Sequence, residues 1–316
     1  MDDGSAVEWL LRSNEPAVRY LVRRDILDEP ATDDAAAILT GPAVTALLSG
    51  QQADGGFGND TYRKWTGAHW RLISLAELAA PPSDSRVAAV AERVLTWLMG
   101  HARYRGRPTV VDGLARVHAC IDGNALGACC RLGFAGDERA RLVAESLVTW
   151  QWPDGGWNCD LQASGRRSSF HESLQAAWGL HEYGAATGNA DATAAADRAA
   201  ELFLEHRLLY RLDDGKPINS GWLRLRYPAY WHYELLQVLL VLARMGKLPD
   251  PRADDALDEL NRRRLPDGRW KANHQWWKPS GSAAMPEVVD WGRAGEPNEM
   301  ITLNALRVLR AAGRLR

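Results

Sequence analysis

Trp150-Gln-Trp-Pro-Asp-Gly-Gly-Trp-Asn158 reads as a tight turn that carries its own anchor, and its chemistry recurs along the chain. Gln51-Gln-Ala-Asp-Gly-Gly-Phe57 and Arg264-Leu-Pro-Asp-Gly-Arg-Trp270 repeat it, and Leu212-Asp-Asp-Gly-Lys216 is a worn copy. Asp-Gly supplies a turn with positive φ, which glycine adopts without steric cost, and the aromatic two or three residues later plugs the chain back against a helix. Asp54, Asp154, Asp214 and Asp267 stand 100, 60 and 53 residues apart. That is a unit of roughly 50 residues with one copy missing near residue 105, where Arg103-Tyr-Arg-Gly-Arg-Pro108 makes a turn without the motif.

The segments after the turns share a second register. Asp122–Gly133, Ser173–Gly184, Leu235–Gly246 and Thr302–Gly313 each end in a glycine suited to a left-handed helix cap. Each carries an amide nine residues before that glycine: Asn124, Gln175, Gln237 or Asn304. Such amides are expected to hydrogen-bond between adjacent helices and fix the register. Helices near 33–49, 86–101, 137–151, 191–207 and 252–264 are Ala-rich with charged faces, as in a half-solvated outer layer. Those near 65–79, 117–132, 169–183, 229–245 and 298–312 are apolar around their circumference, as in an inner layer. With 16–27 as a further inner helix and 5–12 as its short outer partner, the chain reads as all-α, six helical pairs in one domain spanning 1–316.

At 46% hydrophobic content the chain can bury a large core. A net charge of −2 gives no electrostatic case for nucleic acid. No apolar run reaches membrane-spanning length. Cys120, Cys129, Cys130 and Cys159 show no paired metal or disulfide spacing, and the acidic start does not read as a signal peptide, so a cytoplasmic location is expected. Oligomeric state stays open.

The Gln-x-x-Asp-Gly-Gly-Trp/Phe turns, each after an outer helix, resemble the QW-type repeats of the terpenoid cyclase and protein prenyltransferase superfamily, which includes the squalene–hopene cyclases. The resemblance covers most of the chain as architecture. It implies a closed (α/α)6 toroid, with inner and outer helix rings and a central hydrophobic cavity at the inner-helix N-termini. It also implies a cavity-bearing enzyme acting on a hydrophobic or isoprenoid-like small molecule. The same toroid occurs in thioester-containing complement domains and some pectate lyases, so fold leaves the chemistry open. The Asp-x-Asp-Asp acid motif of squalene cyclases has no counterpart, which argues against that activity. The prenyltransferase zinc set, an Asp-x-Cys followed one repeat later by a His, has only an echo in His171-Glu172 and Trp231-His232, with Cys159-Asp160 in the preceding turn. No metal or other cofactor is therefore expected, and zinc is the one candidate.

Polar and aromatic groups recur at the inner-helix starts. Glu172, Glu234, His171 and His232 are the expected catalytic residues. Glu172 and Glu234 each stand 12 residues before an expected capping glycine and so occupy equivalent positions. Two carboxylates facing a partly dry cavity can split their pKa values and serve as acid and base. The plainer account is that acidic residues favour a helix's first turn. His69, Trp70, Arg71, His118, Trp178, Tyr230, Trp231, Trp276, Trp277 and Glu299 are the expected substrate contacts, and the four histidines would cluster at one mouth. Long connections at about 208–227 and 265–297 read as lids over it. Two other classes fit the same residues. One is a carbohydrate-active hydrolase or lyase, with Trp stacked on sugar rings, Glu and His transferring protons, and Arg71 or Lys278 holding a carboxylate. The other is a non-catalytic binding or scaffold toroid.

Overall fold

The computed structural model describes residues 3–275, 277–278, 282–283 and 286–315. The helices run α1 Asp3–Leu11, α2 Pro16–Val22, α3 Thr32–Ala37, α4 Pro42–Leu48, α5 Ala68–Glu77, α6 Ser85–Met99, α7 Ala119–Arg131, α8 Glu138–Trp150, α9 Phe170–Thr187, α10 Ala190–Glu205, α11 Leu235–Arg244, α12 Asp254–Arg262 and α13 Glu299–Ala311. A wider π turn, Arg23–Leu27, continues α2. Where the repeat lacks its motif, the chain makes a short antiparallel ribbon instead, β1 Thr109–Val111 against β2 Leu114–Arg116. The structure is thus mostly helical with this one small sheet.

Three copies of the turn close identically. Gly55, Gly155 and Gly268 donate their N–H to Gln52, Trp152 and Leu265 at 3.0, 2.9 and 2.9 Å, with φ of 77°, 91° and 84°. Positive φ is only half the reason for glycine. A Cβ at Gly55 or Gly155 would meet the carbonyl oxygen of Ala89 on α6 or Arg198 on α10 at 2.0 and 2.6 Å. The turn therefore lies directly on the next outer helix, and Gln51 and Gln151 fix it there by donating to Arg86 O and Ala195 O, both at 2.8 Å. The aromatic plug is equally regular: Trp157 Nε1 and Trp270 Nε1 each donate at 2.9 Å to the carbonyl ten residues upstream, Leu147 and Leu260.

Burial separates the two layers. On α10 the core takes Ala192, Ala195, Ala196 and Ala199 with a few larger residues, leaving a charged face outside. On α11 every residue from Leu235 to Leu242 is buried except Gln237. The inner helices pack in order, α5 on α7, α7 on α9, α9 on α11, α11 on α13, and α13 packs in turn on α2 and α1. Ser13 donates to Glu299 at 2.8 Å and Arg307 pairs with Asp25 at 2.5 Å, so the last helix is tied to the first two by side chains as well. No described helix is long and apolar enough to cross a membrane.

Two expectations need correction. Gly133, Gly246 and Gly313 cap with φ of 83°, 68° and 66°, but Gly184 does not. Helix α9 runs through it to Thr187 and is capped by Gly188 at φ 74°. Gly184 instead lets α10 come close, since a Cβ there would meet Thr193 Oγ1 at 2.4 Å. Nor, among the described residues, do these amide side chains bond to an adjacent helix as expected. Asn124 Nδ2 donates to Tyr230 O at 3.3 Å, Asn304 accepts from Arg307 at 2.7 Å, and Gln175 is buried with neither amide atom partnered.

Candidate functional site

Tyr230 lies in the irregular lead-in to α11 with φ 50°, a left-handed conformation for a bulky residue. This turns its ring inward, stacked on Trp65 at 4.6 Å and edge-on to Trp70 at 5.0 Å. Its phenol donates to Glu287, which descends from the long connection before α13. That connection is seated by Trp65 N, which donates to Pro286 O at 3.3 Å, and by Trp277 Nε1, which donates to Tyr227 O at 3.3 Å. Glu287 is 1% exposed. Burial pushes its carboxyl up to about 7, against the opposing pull of the Tyr230 hydroxyl, the Val288 and Val289 N–H groups and the Arg71 charge. A carboxyl poised there exchanges a proton at neutral pH, and the ring faces around it attract positive charge. Two buried polar atoms beside this cluster, Trp65 Nε1 and Asn124 Oδ1, have no partner.

A second group gathers at the N-termini of α7 and α9. Ser169 caps α9, which places Glu172 in its first turn facing α7. Glu172 Oε2 accepts from Cys120 N at 2.8 Å, and Oε1 stands 3.5 Å from His118 Nδ1. Burial alone would raise this carboxyl, but His118, the Cys120 N–H and the thiols of Cys159 and Cys120 outweigh it and hold it below the usual carboxylate range. His118 is raised in return by its bond to Glu172. Cys159 is brought alongside by the β2 end of the ribbon: Val117 N donates to Asn158 O at 3.2 Å and Trp152 Nε1 to Ala115 O at 2.8 Å. Burial and then Glu172 push its thiol up to about 12.

The remaining expected residues divide. Trp231 stacks on His232 at 3.9 Å, Lys64 lies 5.2 Å over the same indole, and His171 meets it edge-on at 5.4 Å. His171 Nδ1 accepts from Tyr233 N at 2.7 Å, and burial brings His232 down to about 3. The expected four-histidine cluster does not form. His69 is fully buried edge-on to Trp70 and faces Trp97 on the outer helix α6 at 5.8 Å, because its position on α5 points between the layers. Glu234 is not equivalent to Glu172. It is the N-cap of α11 and spends both oxygens on Leu236 N and Gln237 N, at 3.1 and 2.7 Å. Arg71 is spent on backbone carbonyls of Thr66, Leu47 and Ser49 under the Phe57 ring. Trp178 sits toward the other end of the helices, donating to Glu182 at 2.8 Å. Glu299 borders a separate cavity of about 510 Å³ with Glu15, Trp9 and Trp291. Trp276 lies outside the described residues.

Sequence reasoning passed over Glu287 and the pairing of His118 with Cys159. Glu287 lies in an irregular segment with no periodicity to mark it. The signal for Cys159 was present, since it follows directly on the Trp157 plug and that turn must return to an inner-helix start.

Neither a family model nor a curated protein matches the chain. Among solved structures it is similar to a protein from Actinoplanes, with 17% identity over 99% of this chain and 100% of that one, at a TM-score of 0.47. It is also similar to the apo form of the type II terpene cyclase MstE from Scytonema, with 14% identity over 90% and 98% of the two chains, at a TM-score of 0.31. A variant of MstE in complex with its substrate geranylgeranyl dihydroxybenzoate gives 14% identity, 95% and 99% coverage and a TM-score of 0.30.

Proposed function

We propose that residues 1–316 form a single (α/α)6 toroid domain and that it is an enzyme resembling the terpenoid cyclases, acting by acid–base chemistry on a hydrophobic, isoprenoid-like small molecule. The observation that carries this reading is the buried Glu287 carboxyl, raised to about 7 and set among Tyr230, Trp65 and Trp70. The packing of α13 onto α1 and α2 supports the toroid. Glu287 takes the place of the missing Asp-x-Asp-Asp acid. It delivers its proton to a carbon–carbon double bond, the bond's electron pair forms the new C–H bond, and the carbocation left behind is stabilised by the indole and phenol faces. Return of a proton from a neighbouring carbon to the Glu287 carboxylate restores the acid.

The carbohydrate reading needs two carboxylates free to share a substrate. Glu234 is committed to its helix cap and Glu172 to His118 and Cys120, so that pair is not offered. The test is incubation of the purified protein with prenyl alcohols and prenylated aromatics, followed by mass spectrometry and chromatography of the products. Isomerised or cyclised products of unchanged mass are expected, and Glu287→Gln abolishes them. Turnover that survives Glu287→Gln rejects Glu287 as the acid, and turnover of oligosaccharides instead of prenyl compounds rejects the substrate class.

A further inference from the structure

His118, Cys159 and Glu172 present one imidazole nitrogen, one sulfur and one carboxylate oxygen, all within 4.8 Å of one another. Among the described residues this is the one group in which three such ligand atoms converge. We propose that these three side chains form a binding site for a divalent zinc-like cation at the N-termini of α7 and α9. The proposal goes beyond the acid–base reading and does not rest on it, since Glu287 belongs to the separate cluster around Tyr230.

Ligand atoms at about 2.0–2.3 Å from a tetrahedral ion stand roughly 3.3–3.6 Å apart. His118 Nδ1 and Glu172 Oε1 are already 3.5 Å apart. The other oxygen of Glu172 is held by the Cys120 N–H at 2.8 Å, which fixes the carboxylate's orientation as an outer-shell hydrogen bond does in a metal site. His118 and Cys159 come from two segments that are bonded to each other through Val117 N and Asn158 O, so the frame exists before any ion arrives. His118 is largely exposed and can swing onto the ion, whereas Glu172 is buried and cannot move far. Three protein ligands of mixed N, S and O type leave a fourth position for water or a substrate atom, the pattern of catalytic rather than structural zinc. When the ion binds, the Cys159 thiol gives up its proton to solvent as the S–metal bond forms, so uptake releases protons. This set differs from the prenyltransferase arrangement: the His precedes the Cys, and the carboxylate is a Glu from the helix that follows.

The test uses the full-length protein, stripped with chelator and titrated with Co2+. One Co2+ per chain, a near-ultraviolet thiolate-to-cobalt absorption band and displacement by Zn2+ are expected. Cys159→Ser should abolish the band, and His118→Ala should weaken uptake about a hundredfold, while circular dichroism shows both variants folded. Absence of stoichiometric uptake overturns the proposal, as does a band that survives Cys159→Ser or is lost only with Cys120→Ser. Glu287→Gln should leave Co2+ uptake unchanged, so the metal site and the acid–base reading fail separately.

Discussion

Arg244 reaches from α11 to α5 and donates through Nη2 to both carboxylate oxygens of Glu77, at 3.0 and 2.9 Å. Arg131 on α7 adds a contact at 3.4 Å, so three inner helices meet on one largely buried carboxylate, its side chain 12% exposed, at the end away from the site. Burial would raise Glu77, but Arg244, Arg131 and Arg307 bring it down to about 2. A carboxyl depressed on folding contributes stability above its unfolded value, and that contribution is lost as pH falls through the folded one. Urea unfolding of the wild type should therefore weaken as pH drops from about 4.5 toward 2. Glu77→Gln should flatten that slope and cost about 3–5 kcal/mol at pH 7, because it strands buried guanidinium charge. A loss near zero would mean that the arginines are satisfied by other partners.

Glu287 has the opposite sign. Its carboxyl is raised on folding, so its contribution to stability is full below about 4.5 and is lost as pH rises through about 7. The difference corresponds to about 3 kcal/mol, at 1.36 kcal/mol for each pH unit. Chemical denaturation across pH 4 to 9 should show a steeper decline in the wild type than in Glu287→Gln, where only the contribution of Glu234, raised by burial to about 8, adds to the remaining slope, and the variant should be the more stable protein at pH 8. Activity that depends on the protonated acid should fall over the same range. A flat stability profile in the wild type would put Glu287 in contact with water and remove its claim to be the acid.

The backbones of α7 and α9 lie directly against each other. A Cβ at Gly123 would meet Gln175 O at 2.2 Å, and one at Gly179 would meet Gly123 O at 2.4 Å. Backbone atoms in two packed helices cannot step aside, so Gly123→Ala should cost about 3 kcal/mol or prevent folding. Gly184→Ala meets the rotatable Thr193 hydroxyl at 2.4 Å and backbone atoms only at 3.2 Å and beyond, and should cost clearly less. Thermal unfolding of the two variants side by side checks this, and equal losses would refute the close packing.

Most helix positions were legible because they follow from the period of apolar residues, although the helix expected near 33–49 breaks into α3 and α4 and the one expected from about 229 begins only at Leu235; the Asp-Gly turns were legible because their glycines are required twice, by φ and by contact with the next helix. Counting from capping glycines then misled at one place. Gly184 reads as a cap, but the contact with Thr193 is what requires glycine there, and α9 continues for another turn. That error is what made Glu172 and Glu234 look equivalent, when one faces α7 from within a helix and the other caps α11. The direction in which His69 and Trp70 point could not be read either, since α5 is buried on every side. Glu287 acquires its character from burial by a distant segment, and nothing local in the chain announces that.

The Trp plugs give the last prediction. Trp157 and Trp270 are both fully buried, and each donates its indole N–H at 2.9 Å to the carbonyl ten residues upstream, near the end of the preceding outer helix. Those carbonyls belong to the last turn of their helices, where intrahelical donors run short, so the indole helps to cap them; Leu260 O also accepts from Arg263 N at 3.2 Å. Trp270→Phe keeps most of the buried ring but leaves Leu260 O to the Arg263 N–H, and should cost about 0.5–1.5 kcal/mol for the lost hydrogen bond in addition to the lost ring volume. Trp157→Phe should cost a similar amount through Leu147 O. Phe57 stands at the same place in the first copy as a ring with no N–H to donate, under the Arg71 guanidinium at 3.7 Å, and that guanidinium itself donates to Leu47 O at 2.9 Å. Arg71 thus does for the end of α4 what the indoles do for α8 and α12, and Arg71→Met should lower stability by at least as much as Trp270→Phe. Unfolding of the three variants in urea checks the set, and a neutral Arg71→Met would show that Arg71 is held there for something other than the turn.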